Sequence, residues 1–322
     1  MSRRRFLVSL ACAGFGLASR GALAAPADAL EAGLNARLRE LEAAAGGRLG
    51  VHFLDTASGR EYGYRAHERF PLFSSFKLLA GALVLHRVDA GQESLARRIP
   101  YARDDLVEWS PVTERHADGA GMSLGDLCEA AITTSDNTAA NLILASFGGP
   151  AGLTAYARRL GDAVTRLDRN EPDLNDPHPT QPLDTTSPGA MSRTVQQVVL
   201  GDALSAQSRR QLQHWLLDNT TGGRRLRAGL PADWRIGDKT GTGKTGANDI
   251  GVVWPPGGAP LVVSAYLADS DADIRLREAT LAGVGGLLRE FSPKVGGVPC
   301  TARPLCRFET PPLPRARRAT PA

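Results

Sequence analysis

Trp234-Arg235-Ile236-Gly237-Asp238-Lys239-Thr240, Asp249-Ile250-Gly251-Val252-Val253-Trp254 and Leu261-Val262-Val263-Ser264-Ala265-Tyr266-Leu267 are three short runs rich in β-branched and aromatic residues. Glycine- and proline-containing stretches separate them, so they predict three consecutive strands. Outward from them, Asp273 to Phe291 has the period of a helix. Far upstream, Leu49 to Leu54 and Glu61 to Tyr64 flank Thr56-Ala57-Ser58-Gly59 and read as a hairpin, preceded by a helical stretch from Asp28 to Ala45. Between the two strand groups, from about Ser75 to Leu217, the patterns are helical. Strands from both ends of the chain with helices between them predict an α/β fold of the α+β type. One antiparallel sheet is built from both termini and flanked by helices, and an all-helical lobe is inserted into it. The sheet lobe takes residues 25–73 and 226–291, the helical lobe 74–225, and a site is expected in the cleft between them.

Composition narrows the function. Of 322 residues, 42% are hydrophobic and 22% charged, an ordinary globular balance in a chain long enough to bury a core unaided. No apolar run of the mature chain reaches about 18 residues, so no membrane span is expected. The six histidines form no His-x-His or His-Glu-x-x-His pattern, and the four cysteines form no Cys-x-x-Cys. A zinc centre is disfavoured, and no metal or cofactor is expected. The net charge of +4 is carried by the ends: +4 in the first 24 residues and +5 in the last 31, which leaves the middle at −5. A nucleic-acid binder would concentrate basic charge in its folded part, so none is expected as a partner.

Met1 to Ala24 reads as an export signal, with a basic start, an apolar stretch and a small-x-small end at Ala22-Leu23-Ala24. Ser2-Arg3-Arg4-Arg5-Phe6-Leu7 resembles a twin-arginine start, which implies export of the folded chain to the periplasm. Residues 292–322, with seven prolines and a basic run, read as an extended tail in which Cys300 and Cys306 are free to pair in an oxidising compartment. Cys128 is left over as a buried thiol.

Two serines compete as nucleophile. Gly121-Met122-Ser123-Leu124-Gly125 has the spacing of a nucleophile elbow, but a polar loop precedes it where a buried strand is required. Ser123 with Asp126 reads instead as a helix cap. In Phe73-Ser74-Ser75-Phe76-Lys77, a helix starting at Ser74 puts Lys77 one turn later on the same face, close enough for its amine to reach the Ser74 hydroxyl. The positive end of the helix dipole would lie beside the developing anion, and a serine needs such a partner to become nucleophilic.

Three further motifs follow: Ser135-Asp136-Asn137, Arg169-Asn170-Glu171-Pro172-Asp173-Leu174-Asn175 and Lys239-Thr240-Gly241-Thr242-Gly243. In order and approximate separation the four resemble the class A serine β-lactamases, and the resemblance runs from about Asp28 to Phe291. It implies hydrolysis of a small-molecule β-lactam by a monomer. Ser74 would attack the lactam carbonyl, with the N–H groups of Ser74 and Thr242 as oxyanion hole. Lys77 would relay protons, and Ser135 would pass one to the leaving nitrogen. Asn137 would hold the substrate's side-chain amide. On the strand Lys239-Thr240-Gly241-Thr242, Lys239 and Thr240 would bind the substrate carboxylate. Glu171 and Asn175 would grip one water and release the acyl-enzyme, while Arg169 and Asp184 close the loop between them.

Penicillin-binding proteins share the first, second and fourth motifs and lack the third. A D,D-peptidase or transpeptidase, and a non-turnover penicillin-binding sensor, are therefore the competing readings. The chain also departs from common family features. Gly81 stands where a cysteine partner for Cys128 is often found, and Phe73 and Gly243 stand where a carbapenemase-type bridge would be. Asn248-Asp249 replaces an arginine facing the carboxylate pocket, for which Arg225 resembles the substitute used by other members. Trp109 matches the aromatic at the cleft mouth, against the plainer reading of a core tryptophan.

Overall fold

The computed structural model describes residues 26–178 and 180–292; the export signal, the tail beyond Ser292 and the Cys300–Cys306 pair lie outside the described residues. In chain order the elements are α1 (Pro26–Ala45), β1 (Arg48–Asp55), β2 (Glu61–Tyr64), β3 (Phe70–Pro71), α2 (Phe76–Asp89), β4 (Arg98–Ile99), β5 (Met122–Ser123), α3 (Leu124–Thr133), α4 (Asn137–Ala145), α5 (Gly149–Arg159), β6 (Thr185–Thr186), α6 (Pro188–Val199), α7 (Ala206–Leu217), α8 (Leu226–Gly229), β7 (Arg235–Gly243), β8 (Gly246–Trp254), β9 (Leu261–Ala268) and α9 (Ile274–Phe291). Strands from both ends assemble one five-stranded antiparallel sheet in the order β2-β1-β9-β8-β7.

Every residue of β9 is buried because helices cover both faces of the sheet. Alternation along the strand sorts the two cores. Val263, Ala265 and Leu267 face outward with Val51 and Phe53, under Leu34 and Leu38 of α1 and Leu281, Val284 and Leu288 of α9. Val262 and Tyr266 face inward with Ile250 and Val252, under Phe76 of α2 and Met191, Val195 and Val198 of α6. Helix α6 lies inside the stretch read as the helical lobe, yet it rests directly on the sheet, where Ser192 Oγ donates to Ser264 Oγ at 2.9 Å.

Strands β7 and β8 extend further into the glycine-rich stretch than its composition suggests, to Gly243 and from Gly246. The reason is Phe73. Its side chain lies against this hairpin, and a Cβ at Gly243 would come within 2.2 Å of its ring, one at Gly246 within 2.7 Å. These glycines are strand residues that let another part of the chain come close, not turn formers. Helix α3 begins as expected: Asp126 N–H donates to Ser123 Oγ at 3.1 Å.

Candidate active site

Ser74 sits in a 3-10 turn, Phe73–Ser75, that feeds α2, and Phe73 before it has φ +44. A left-handed aromatic residue is costly and persists only where its surroundings hold it; the glycine cradle on β7 and β8 does so here. Ser74 and Lys77 fall on one face of the helix start, but the direct bond expected between them is replaced by a shared acceptor. Ser74 Oγ donates to Glu171 Oε1 at 3.1 Å, and Lys77 Nζ stands 3.0 Å from the same oxygen. The lysine is drawn off by better acceptors than a hydroxyl, Ser135 O at 2.8 Å and Asn137 Oδ1 at 2.6 Å. Burial pushes the Lys77 ammonium below the ordinary lysine range, against the pull of the Glu171 carboxylate.

Glu171 is buried, and Asn175 Nδ2 donates to its Oε2 at 2.6 Å. Asn175 ends a 3-10 turn, Asp173–Asn175, which sets its side chain back over Glu171. The loop is closed as expected by Arg169 Nε donating to Asp184 Oδ2 at 2.7 Å. A second clamp was not legible in the sequence. Asn141 on α4 donates to Glu171 O and accepts from Glu171 N–H, both at 2.9 Å, and so fixes the backbone of the candidate base. In the sequence Asn141 is only a polar residue in a helical run.

Ser135 has φ +62 and precedes α4. Its Oγ receives hydrogen bonds from Lys239 Nζ at 3.1 Å and Lys77 Nζ at 3.4 Å, which places a hydroxyl between two lysine nitrogens. Asp136 caps α4 through Ala139 N–H, and it also takes the N–H groups of Val112 and Thr113. This ties down the loop that carries Trp109. Trp109 is 63% exposed with its Nε1–H on Thr134 O, so it is a rim residue and not a core tryptophan. Asn137 donates to Glu108 O while its Oδ1 holds Lys77.

Edge strand β7 forms the opposite wall. Lys239 is fully buried, and burial together with the positive charges of Lys77 and Arg225 pushes it well below the usual lysine range. Thr240 Oγ1 lies 2.5 Å from Thr221 Oγ1. Arg225, also buried, donates to Gly241 O and Asn248 O at 2.8 Å and to Thr242 Oγ1 at 2.6 Å. Its neighbour Arg224 points away, to Glu278. Lys77, Lys239 and Arg225 bring three basic side chains to the cleft, which suits an anionic substrate. Cys128 is free and buried, and burial pushes its thiol up out of reactive range. The space where a Gly81 side chain would begin is taken by Ile132, 2.8 Å from that position.

A serine, a lysine and a glutamate converge in a cleft beside an inserted helical layer, the layout of an enzyme site built on a hydroxyl with basic and acidic partners. The family model described as the Beta-lactamase enzyme family matches residues 33–290. A β-lactamase of Streptomyces albus G is 49% identical over 268 residues, 79% of this chain and 83% of that protein. β-Lactamase L2 of Stenotrophomonas maltophilia is 49% identical over 271 residues, 83% of this chain and 88% of that protein. Among solved structures, an ancestral class A β-lactamase is 59% identical with a TM-score of 0.78, covering 80% of this chain and 99% of that one. A putative class A β-lactamase from Rhodopseudomonas palustris is 56% identical with the same TM-score, covering 80% and 98%. The chain belongs to the class A serine β-lactamases, hydrolases of the β-lactam amide that confer antibiotic resistance. Among the described residues no helix is long and apolar enough to cross a membrane.

Proposed function

We propose that the chain hydrolyses penicillins and cephalosporins through an ester on Ser74, and that Glu171 activates the water that releases it. The observation that carries this reading is the convergence of Ser74 Oγ and Lys77 Nζ on Glu171 Oε1. In acylation Ser74 Oγ attacks the lactam carbonyl carbon and loses its proton toward Glu171 or Lys77. The developing oxyanion is received by the N–H groups of Ser74 and Thr242. As the C–N bond breaks, Ser135 Oγ gives a proton to the nitrogen and is resupplied by the ammonium groups beside it. Lys239, Thr240, Gly241 and Thr242 with Arg225 receive the substrate carboxylate, Asn137 its side-chain amide, and Trp109 its body at the rim. In deacylation a water held between Glu171 and Asn175 loses a proton to Glu171 and attacks the ester carbonyl. The acyl C–Oγ bond then breaks, Ser74 Oγ takes that proton back from Glu171, and the ring-opened acid leaves.

General-base catalysis is worth roughly 10²–10⁴-fold. Glu171→Ala should therefore deacylate far more slowly than it acylates and accumulate protein plus intact penicillin mass in the mass spectrum. Lys77→Ala should lose acylation first. Unchanged turnover with no adduct in Glu171→Ala would remove Glu171 from the mechanism, whereas a native protein that is acylated once and then stops would return the transpeptidase or sensor reading. We further propose that the mature enzyme is a periplasmic monomer, organised as a sheet lobe and a helical lobe, freed of residues 1–24 after export by the twin-arginine route. Mass spectrometry and sedimentation of the exported protein test this.

A further inference from the structure

The segment 219–227 that carries Arg225 is fastened to β7 and β8 by two carboxyl groups that play no part in the chemistry above. Asp238 and Asp249 are both 0% exposed and share one face of the strand pair, with Asp238 opposite Gly251 and Asp249 opposite Thr240. Asp238 Oδ2 accepts from Asn219 Nδ2 at 2.9 Å and its Oδ1 from Arg227 Nη2 at 2.8 Å. Asp249 Oδ2 accepts from Leu226 N–H at 3.1 Å. Gly222 comes so close that a Cβ there would lie 1.8 Å from Asp238 Oδ2.

The remaining oxygen, Asp249 Oδ1, is buried with no N–H or hydroxyl donor reaching it. The two carboxyl groups are diagonal neighbours on that face, placed for a hydrogen bond between them if one can donate. Carboxylates only accept, so this bond needs one proton between them. Both Asp238 oxygens already accept from a guanidinium and an amide, whereas Asp249 Oδ1 has nothing to accept. The proton therefore belongs on Asp249 Oδ1. Burial and the adjacent Asp238 charge push the Asp249 carboxyl well above the ordinary range; burial also raises Asp238, against the opposing Arg227. The other charged groups facing the pair are Arg225 on the same segment and Lys239 on β7, and Glu278 on α9 faces the Nε of Arg225.

We propose that Asp249 is a proton-bearing positioning residue for substrate binding: its O–H donates to Asp238, and the pair holds segment 219–227 so that Arg225 offers its guanidinium to the substrate carboxylate. Arg225 already faces one carboxylate, Glu278, at 3.7 Å. An ionised Asp249 would add a further negative charge beside it, and a neutral one does not. The proposal rests on the reading of Arg225 as the carboxylate-binding arginine.

The test is steady-state kinetics on a penicillin with Arg225→Ala, Asp249→Asn, Asp249→Ala and Asp238→Asn, together with infrared spectra of the wild type and Asp249→Asn at neutral pH. An asparagine at 249 can still donate to Asp238 and accept from Leu226, so KM should stay within about threefold of wild type. An asparagine at 238 turns a donor toward donors, and an alanine at 249 removes the bond to Asp238. Either should raise KM about tenfold or more, with kcat changed less, as a lost ground-state contact does. The wild type should show the C=O stretch of a protonated carboxyl that disappears in Asp249→Asn. A KM rise in Asp249→Asn as large as in Asp249→Ala, or a band that survives in Asp249→Asn, overturns the proposal. Should Asp238→Asn fail to fold, the two Asp249 variants and the spectra decide alone. An unchanged KM in Arg225→Ala would instead sink the reading of Arg225, while the infrared band would still place the proton.

Discussion

Ser74, Lys77 and Glu171 meet on one oxygen, and this convergence sets what single substitutions should do. Ser74→Ala should abolish both hydrolysis and covalent labelling by penicillin. Ser123→Ala should keep both and lose only a helix cap, about 0.5–2 kcal/mol of stability. Penicillin labelling that survives in Ser74→Ala would overturn the assignment. Arg225→Ala should raise KM for penicillins, whereas Arg224→Ala, whose side chain is turned outward onto Glu278, should do little. Equal effects at the two sites would mean the wrong arginine has been placed in the pocket. These residues were legible because each is a chemically distinctive type in a spaced motif. Asn141, Asp238 and Asp249 were not, because their roles depend on hydrogen bonds to residues far away in sequence, such as Asn141 to Glu171. The bond from Lys77 to Ser74 was expected from helical spacing alone. Spacing says which side chains share a face, not which of several acceptors wins.

At the scale of elements, the loop 169–184 behaves as a part held at several points. Arg169 and Asp184 close its neck, Leu72 N–H donates to Asp184 O at 2.8 Å beside the turn that carries Ser74, and Asn141 grips Glu171 from α4. Asn141→Ala removes two backbone anchors without touching the Glu171 carboxylate. Deacylation should slow by about tenfold or more while acylation is hurt less, since each lost hydrogen bond of this kind is worth about 1 kcal/mol and a loosened base is misplaced. Single-turnover kinetics separates the two steps, and equal slowing of both would assign Asn141 to general stability. The neck was foreseen through the family resemblance of the motif Arg169 to Asn175, which implies the pairing of Arg169 with Asp184. The anchor was not foreseen, since nothing in a helix pattern marks which polar residue turns inward.

For the molecule as a whole, buried ionisable groups link folding to pH. Asp249 has its proton affinity raised by burial and by Asp238, so between about pH 4, where an unfolded aspartate titrates, and its own raised range the folded state binds more protons than the unfolded state. Wild-type stability contributed by this group is therefore complete below the unfolded value and is lost as pH rises, by up to about 1.4 kcal/mol per unit. Asparagine does not titrate. The stability of Asp249→Asn relative to wild type should climb in denaturant melts as pH rises above about 4, and level off once the pH passes the raised range of Asp249. Parallel curves would put no proton on Asp249. The two-terminus sheet itself was readable, because strand composition and helical periodicity are local signals. That α6 would rest on the sheet was not, since it depends on which helix face meets Tyr266 and Val262 after the chain has folded back.

The Phe73 ring lodged against Gly243 and Gly246 also constrains which evolutionary paths are open to this enzyme. A side chain at 243 collides with the ring, and overfilling a packed core costs about 1–3 kcal/mol. The three nearest atoms to that side chain all belong to the ring, so removing the ring removes the collision. Gly243→Ala should thus be harmful in the native background and far better tolerated beside Phe73→Ala, a sign of strong epistasis that thermal melts of the four proteins in a double-mutant cycle would measure. Strictly additive melts would show that the ring does not set this limit. Variants that carry bulk at 243 should then arise only after position 73 has changed, so the order of mutations, and not just their identity, is written into this contact.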